Sequence, residues 1–217
     1  MDVKEQRRPL EPGDAAPDFV LPAAHGDGTV SLAEHRSKGP VLLAILRGLY
    51  CAFCRRQVAL VGLTAAALRD LSVQTLVVVA SPPERARLYF RYRPPGSPVG
   101  ADPDLKVHHA YGIPQSPVTP ELREAVESNY ARLARQMGFE LPEGSARETF
   151  HKADGFDLTE NDRADRARHQ AQFVGHFLMD RSGIVRWVDI ECARDGVPGL
   201  YRFPTTEQIV TAARALA

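Results

Sequence analysis

Two cysteines three positions apart, Cys51 and Cys54, are the residues of this chain best suited to chemistry. They stand in Arg47-Gly48-Leu49-Tyr50-Cys51-Ala52-Phe53-Cys54-Arg55-Arg56. At a helix start, unpaired N–H groups and the positive end of the dipole favour a thiolate over a thiol. Positions i and i+3 share a helix face, so the two sulfurs can approach disulfide distance. Arg47, Arg55 and Arg56 add positive charge. The same spacing makes half of a zinc site, but no second cysteine pair exists to complete one. The histidines show no His-x(3–5)-His spacing, and Arg55, not histidine, follows the second cysteine, so a haem attachment site is excluded as well. The favoured chemistry is thiol redox, with no metal or organic cofactor.

That chemistry needs a strand, a turn and a helix in this order. Val41 to Leu46 is an apolar run of strand length, Arg47-Gly48 ends it, and Val58, Val61, Ala65, Leu68 and Leu71 follow at helical spacings. Val73 to Ala80 is apolar and β-branched, as expected of a parallel strand covered on both faces. Upstream, the prolines and Gly13 of residues 10–22 forbid a helix and predict an extended segment lying along the core. Ser31 is placed as an N-cap, Pro82-Pro83-Glu84 opens a helix to about Tyr92, and Asp102-Pro103-Asp104 opens a short one ended by Gly112. Residues 115–172 interrupt the alternation. Leu122, Val126, Leu133 and Met137 mark one amphipathic helix; a charged, turn-rich stretch runs through Gly144-Ser145; Thr159-Glu160-Asn161-Asp162 starts another helix to about Gln172. Phe173 to Met179 and Ile184 to Ile190 read as a hairpin, and Thr205-Thr206-Glu207-Gln208 as the capping box of the last helix.

The totals narrow the class. With 217 residues, the chain reads as one domain, 1–217, with a core at about 10–112 and 173–217 and a helical insertion at about 115–172. Lys plus Arg and Asp plus Glu both number 27, which argues against a nucleic-acid surface or a polybasic membrane patch. The charged start lacks the apolar core of a secretory signal, and no apolar run reaches membrane-spanning length. The expected compartment is the cytoplasm, where an exposed dithiol is more often catalytic than structural.

The order of elements and motifs resembles the alkyl hydroperoxide reductase/thiol-specific antioxidant (AhpC/TSA) relatives of the peroxiredoxins, in the thioredoxin-like superfamily. The likeness rests on Gly13-Asp14-Ala15-Ala16-Pro17-Asp18-Phe19, the strand into Cys51–Cys54, Ala101-Asp102-Pro103-Asp104 leading to Ala110-Tyr111-Gly112, and Gly175 to Arg186. It implies an α/β fold with a central mixed sheet flanked by helices. It also implies a hydroperoxide substrate, a thioredoxin-type or small-thiol reductant, and a possible homo-oligomer. The family motif Pro-x-x-x-Thr-x-x-Cys, laid on this chain, puts the attacking residue at Cys54, with Cys51 at the threonine and Arg47 at the proline. A thioredoxin pattern makes Cys51 the attacker and Cys54 the resolver. The family's active-site arginine falls on Arg186.

The expectation from this resemblance is attack by Cys54, resolution by Cys51, and support from Arg186 and Arg47. The alternatives are a disulfide reductase led by Cys51 and a redox sensor on the same fold. Cys192 is expected to be an inert core residue, His108-His109 to lie on a helix surface, and His176 to be structural.

Overall fold

In the computed structural model, which describes residues 7–139, 146–169 and 171–216, the elements run β1 (Val20–Pro22), β2 (Thr29–Ser31), α1 (Leu32–Arg36), β3 (Val41–Leu46), α2 (Ala52–Arg69), β4 (Gln74–Val79), α3 (Pro83–Tyr92), β5 (Val99–Ala101) and α4 (Lys106–Ala110). They continue as α5 (Pro120–Gln136), α6 (Ala146–Ala153), α7 (Glu160–His169), β6 (Gly175–Met179), β7 (Val185–Ile190) and α8 (Thr206–Arg214). The leader residues 1–6 and the Gly144-Ser145 turn lie outside the described residues.

Five strands form a mixed sheet in the order β5-β4-β3-β6-β7, with β3, β4 and β5 parallel, β6 antiparallel to β3, and β7 antiparallel to β6. β3 is the central strand, and every residue of it is buried. Its side chains alternate between two cores, as a strand's period of two requires. Leu42, Ala44 and Leu46 join the apolar cluster of α2, α5 and α8, while Val41, Leu43 and Ile45 join that of the amino-terminal segment, α1 and α4. α2 lays Val58, Val61, Ala65 and Leu68 on the sheet as its spacing predicts. Leu10, in the proline-rich segment, is buried in the second core. Ser31 caps α1 and Thr205 with Gln208 forms the capping box of α8.

The stretch 115–172 leaves and returns through a narrow neck. Gln115 bridges Gln172, Ser116 N–H donates to the Ala171 carbonyl at 2.9 Å, and Phe173 N–H donates to that of Pro114 at 3.0 Å. Between these ends α5, α6 and α7 fold over the start of α2. α6 falls in what the sequence marks as turn-rich. Its eight residues, Ala-Arg-Glu-Thr-Phe-His-Lys-Ala, form a helix because Ala146, Phe150 and His151 find a buried face. Phe150 is fully buried, edge-on to Tyr130 of α5 with ring centroids 5.7 Å apart.

His108 departs from expectation. It is fully buried on α4 while His109 is exposed, and burial pushes its pKa down to about 3, so the ring stays neutral.

Truncation of Phe150 tests how firmly the insertion is seated. Phe150→Ala is expected to cost about 3–5 kcal/mol in urea unfolding; a loss below about 1 kcal/mol would mean that α6 packs loosely.

Candidate active site

The register of the sheet decides which residues meet at the end of β3. Ile45 pairs with Gly175, which pairs with Ile190. The residues just beyond these pairs, Arg47, Val174 and Glu191, therefore converge at one end of three adjacent strands. The turn from β3 into α2 has no spare room: a Cβ on Gly48 would meet the Ala80 carbonyl oxygen at 2.5 Å. Leu49 N–H donates to Ser81 Oγ at 2.9 Å and Cys51 N–H to the Gly48 carbonyl at 3.0 Å, which fixes the loop that delivers the first cysteine.

Cys51 is the N-cap of α2. Its Sγ accepts the Cys54 backbone N–H at 3.3 Å, so it takes one of the donors a helix start leaves open. Cys54 sits one turn on. Both are buried, at 2% and 1% exposure, and both are free thiols.

Arg47 is 2% exposed and tied down on several sides. It donates to the Gln172 carbonyl, forms an ion pair with the buried Glu191, and points Nη1 at Cys54 Sγ, 3.9 Å away. The Glu191 carboxylate is itself held by the backbone N–H groups of Val174, at 3.1 Å, and Tyr201, at 2.7 Å. Burial works against the Arg47 charge, but Glu191 and the two cysteines hold its pKa well above the usual value, so it remains a cation. Two non-glycine residues with left-handed backbone flank this carboxylate: Cys192 at φ 62° and Tyr201 at φ 61°. Such a conformation costs about 1–2 kcal/mol.

The two sulfurs respond in opposite directions. For Cys51 burial opposes ionisation, yet the hydrogen bond from the Cys54 thiol, the Arg47 charge and the Cys54 N–H outweigh it and bring the pKa down to about 7. For Cys54 burial, its donated hydrogen bond and the Cys51 charge all raise the pKa, and Arg47 does not overcome them. Ionisation is thus favoured at Cys51 over Cys54, a preference opposite to the order that the family motif implies.

Phe53, Tyr130 and Tyr201 wall the site. Phe53 stacks on Tyr201 at 3.9 Å between centroids, and meets Tyr130 edge-on at 5.1 Å. Tyr130 Oη accepts the Ala52 N–H at 3.3 Å, and Tyr50 Oη donates to the His169 carbonyl at 2.9 Å, so α5 and α7 both grip the helix start. A cavity of about 40 Å³ reaches Cys51 through this wall; Cys54 does not line it. That volume holds a few water-sized molecules.

The other expected residues fall as follows. Arg186 lies at the opposite end of the sheet, because the hairpin register sets Val185 against Met179, and Met179 against Val41 at the start of β3. It is half-exposed and ion-paired with Asp180 at 2.7 Å, so the role implied by the resemblance does not hold for it. Arg55 turns away, to the Leu49 carbonyl and Asp154, over the ring of Phe156. Arg56 reaches Met137 Sδ. Of the three arginines near the cysteines, only Arg47 addresses a cysteine sulfur. Cys192 is half-buried with its pKa pushed up to about 12 by burial and Glu191, an unreactive state. His176 is buried in β6 against Gln57 Nε2 at 3.1 Å, neutral because burial brings its pKa down to about 3. Glu191, Tyr130 and Tyr201 were not singled out from sequence. For Glu191 a signal existed: an arginine in an apolar loop requires a counter-charge, and Glu191 directly follows a strand. Among the described residues no cluster of three or more His, Cys, Asp or Glu could hold a metal ion, and no helix is long and apolar enough to cross a membrane.

This arrangement, a dithiol at a helix start beside the central strand of a mixed sheet, agrees with what comparison finds. The AhpC/TSA family model matches residues 12–188, and the chain belongs to that family. No curated protein matches it. Among solved structures it is similar to the peroxidoxin BcpB from Mycobacterium tuberculosis, with TM-score 0.58 and 13% identity over 96% of this chain and 99% of that one. It is also similar to the reduced 2-Cys peroxiredoxin of Plasmodium vivax, with TM-score 0.57 and 15% identity over 95% and 82% of the two chains. M. tuberculosis AhpC gives TM-score 0.56 and 14% identity over 96% and 93%. The fold is therefore that of the thioredoxin-like peroxiredoxins.

Removing one half of a buried ion pair strands the other. Glu191→Gln is expected to lower stability by about 3–5 kcal/mol, measured by urea unfolding, with Arg47→Met plus Glu191→Leu recovering most of the loss. A single Glu191→Gln protein as stable as the parent would mean that the pair is not closed in solution.

Proposed function

We propose that the chain is a thiol peroxidase that reduces small hydroperoxides, with Cys51 as attacking thiolate and Cys54 as resolving thiol. The observation that carries the order is that Cys51 alone of the two lines the cavity, and it is the N-cap sulfur. Family membership supports the reaction class.

The Cys51 thiolate attacks the terminal peroxide oxygen. The S–O bond forms, the O–O bond breaks, and the alkoxide leaves with the proton of the Cys54 thiol. Cys51 is now a sulfenic acid. The Cys54 thiolate attacks its sulfur and expels hydroxide, which takes a proton to become water. One hydroperoxide and two thiols give one alcohol, one water and one disulfide. An external thiol returns the pair to the dithiol. Arg47, beside both sulfurs, stabilises each thiolate in turn and is a catalytic residue in this reading; Glu191 positions it.

The narrow cavity favours a small oxidant and a small-thiol reductant over a protein disulfide. This distinguishes the proposal from the disulfide-reductase alternative, which shares Cys51 as nucleophile. The insertion, covering the site through α5 and α7, acts as a lid.

Trapping with dimedone separates the two cysteine orders. In Cys54→Ser protein treated with one equivalent of peroxide, the label should appear on Cys51, and Cys51→Ser protein should consume no peroxide and carry no label on Cys54. Label on Cys54 in the Cys51→Ser protein would restore the opposite order.

A further inference from the structure

The mouth of the Cys51 cavity carries charge of one sign. Besides Arg47, the lining includes Arg123 from α5, Arg147 from α6 and Arg166 from α7, and no carboxylate. Each of the three inserted helices thus contributes one arginine to a single opening, in a chain whose total charge is balanced. Arg147 is ion-paired with Glu127 at 3.3 Å. Arg123 and Arg166 make no ion pair or side-chain hydrogen bond among the described residues, although ten other basic side chains do pair with carboxylates. Arg166 is half-buried there and Arg123 is exposed, and like charges facing one opening repel one another unless an anion joins them. Leu122, Val118 and Val126 supply an apolar collar to the same opening. An arginine fork holds a carboxylate through two parallel N–H bonds, which suits a molecule whose other end enters the cavity.

We propose that Arg123, Arg147 and Arg166 form an anion-selecting mouth, so that the small molecules reacting at Cys51 carry a carboxylate. The inference deepens the peroxidase reading by naming the substrate class. It does not need that reading to be right, since it concerns access to the sulfur. The carboxylate belongs either to the hydroperoxide or to the reducing thiol, and the chemistry of recognition is the same for both.

Alkylation tests access without peroxide. Iodoacetate and iodoacetamide attack the same thiolate, and the ratio of their rates at the Cys51 peptide cancels any change in thiolate population. In the full chain the ratio should fall roughly fivefold or more in Arg123→Gln plus Arg166→Gln protein, and it should fall as salt is added. Arg123→Lys plus Arg166→Lys, which keeps the charge, should retain much of the ratio and shows that the surface tolerates replacement. Arg186→Gln, at the far end of the sheet, should leave the ratio unaltered. An equal ratio in the parent and the double glutamine variant overturns the proposal, whether or not the protein consumes peroxide. Failure to consume any hydroperoxide with the ratio still dependent on the two arginines would sink the peroxidase reading and keep the anion mouth. Two further arms locate the carboxylate. One compares a carboxylate-bearing hydroperoxide with tert-butyl hydroperoxide; the other compares 3-mercaptopropionate with 2-mercaptoethanol in reducing the 51–54 disulfide. A preference for the charged member that the glutamine variant loses, in either arm, supports the proposal and names the source; no such preference in both overturns it.

Discussion

The ion pair between Arg47 and Glu191 is the constraint on which the site depends. Neither residue has access to solvent that would compensate its charge, so each requires the other and the donors around it. Buried pairs contribute little net stability, because desolvation offsets most of the attraction. What this one contributes is a fixed cation beside two sulfurs. Left-handed backbone at Cys192 and Tyr201 brings the Glu191 carboxylate and the Tyr201 N–H together, a local strain that only the surrounding packing can maintain. The aromatic wall follows from the same placement, since Tyr201 lies both against the Arg47 guanidinium, 5.1 Å from its ring centroid, and on the face of Phe53.

From this cation and a helix start come two thiols with different properties. A shared location would suggest that both are activated. Yet the sulfur that accepts hydrogen bonds ionises more readily, and the one that donates is held as a thiol. Cys51 accepts from the Cys54 N–H and thiol. In the proposed reaction that asymmetry makes Cys51 the nucleophile and Cys54 the resolver within one Cys-x-x-Cys pair. The inserted helices complete the arrangement by narrowing access to the helix start, through Tyr130 on the Ala52 N–H and Tyr50 on the His169 carbonyl. Low exposure strengthens each electrostatic contact inside.

Much of the scaffold was legible in the sequence, because strand and helix periods, caps and prolines are local signals. β3, α2, β4, the β6–β7 hairpin and the capping box of α8 are all visible in this way. α6 was not, since its eight residues are mostly polar and become helical by covering Tyr130 with Phe150. The cysteine pair was legible in the sequence; the order proposed for its members rests on three-dimensional placement, where the family motif implies the opposite order. Arg186 shows the same limit: its strand was found, but pairing register put it at the wrong end of the sheet. Glu191 and the three arginines of the mouth come from segments far apart in sequence, so no spacing rule could join them.

The most direct test of the account is the pH dependence of alkylation of the unmodified protein by iodoacetamide, followed separately on the Cys51 and Cys54 peptides by mass spectrometry. The thiolate is the reactive form, so the rate at Cys51 should rise with pH through a midpoint of about 7, while Cys54 stays unmodified well above that point. Faster modification of Cys54, or a Cys51 midpoint at or above the ordinary thiol value of ~8.5, would contradict it.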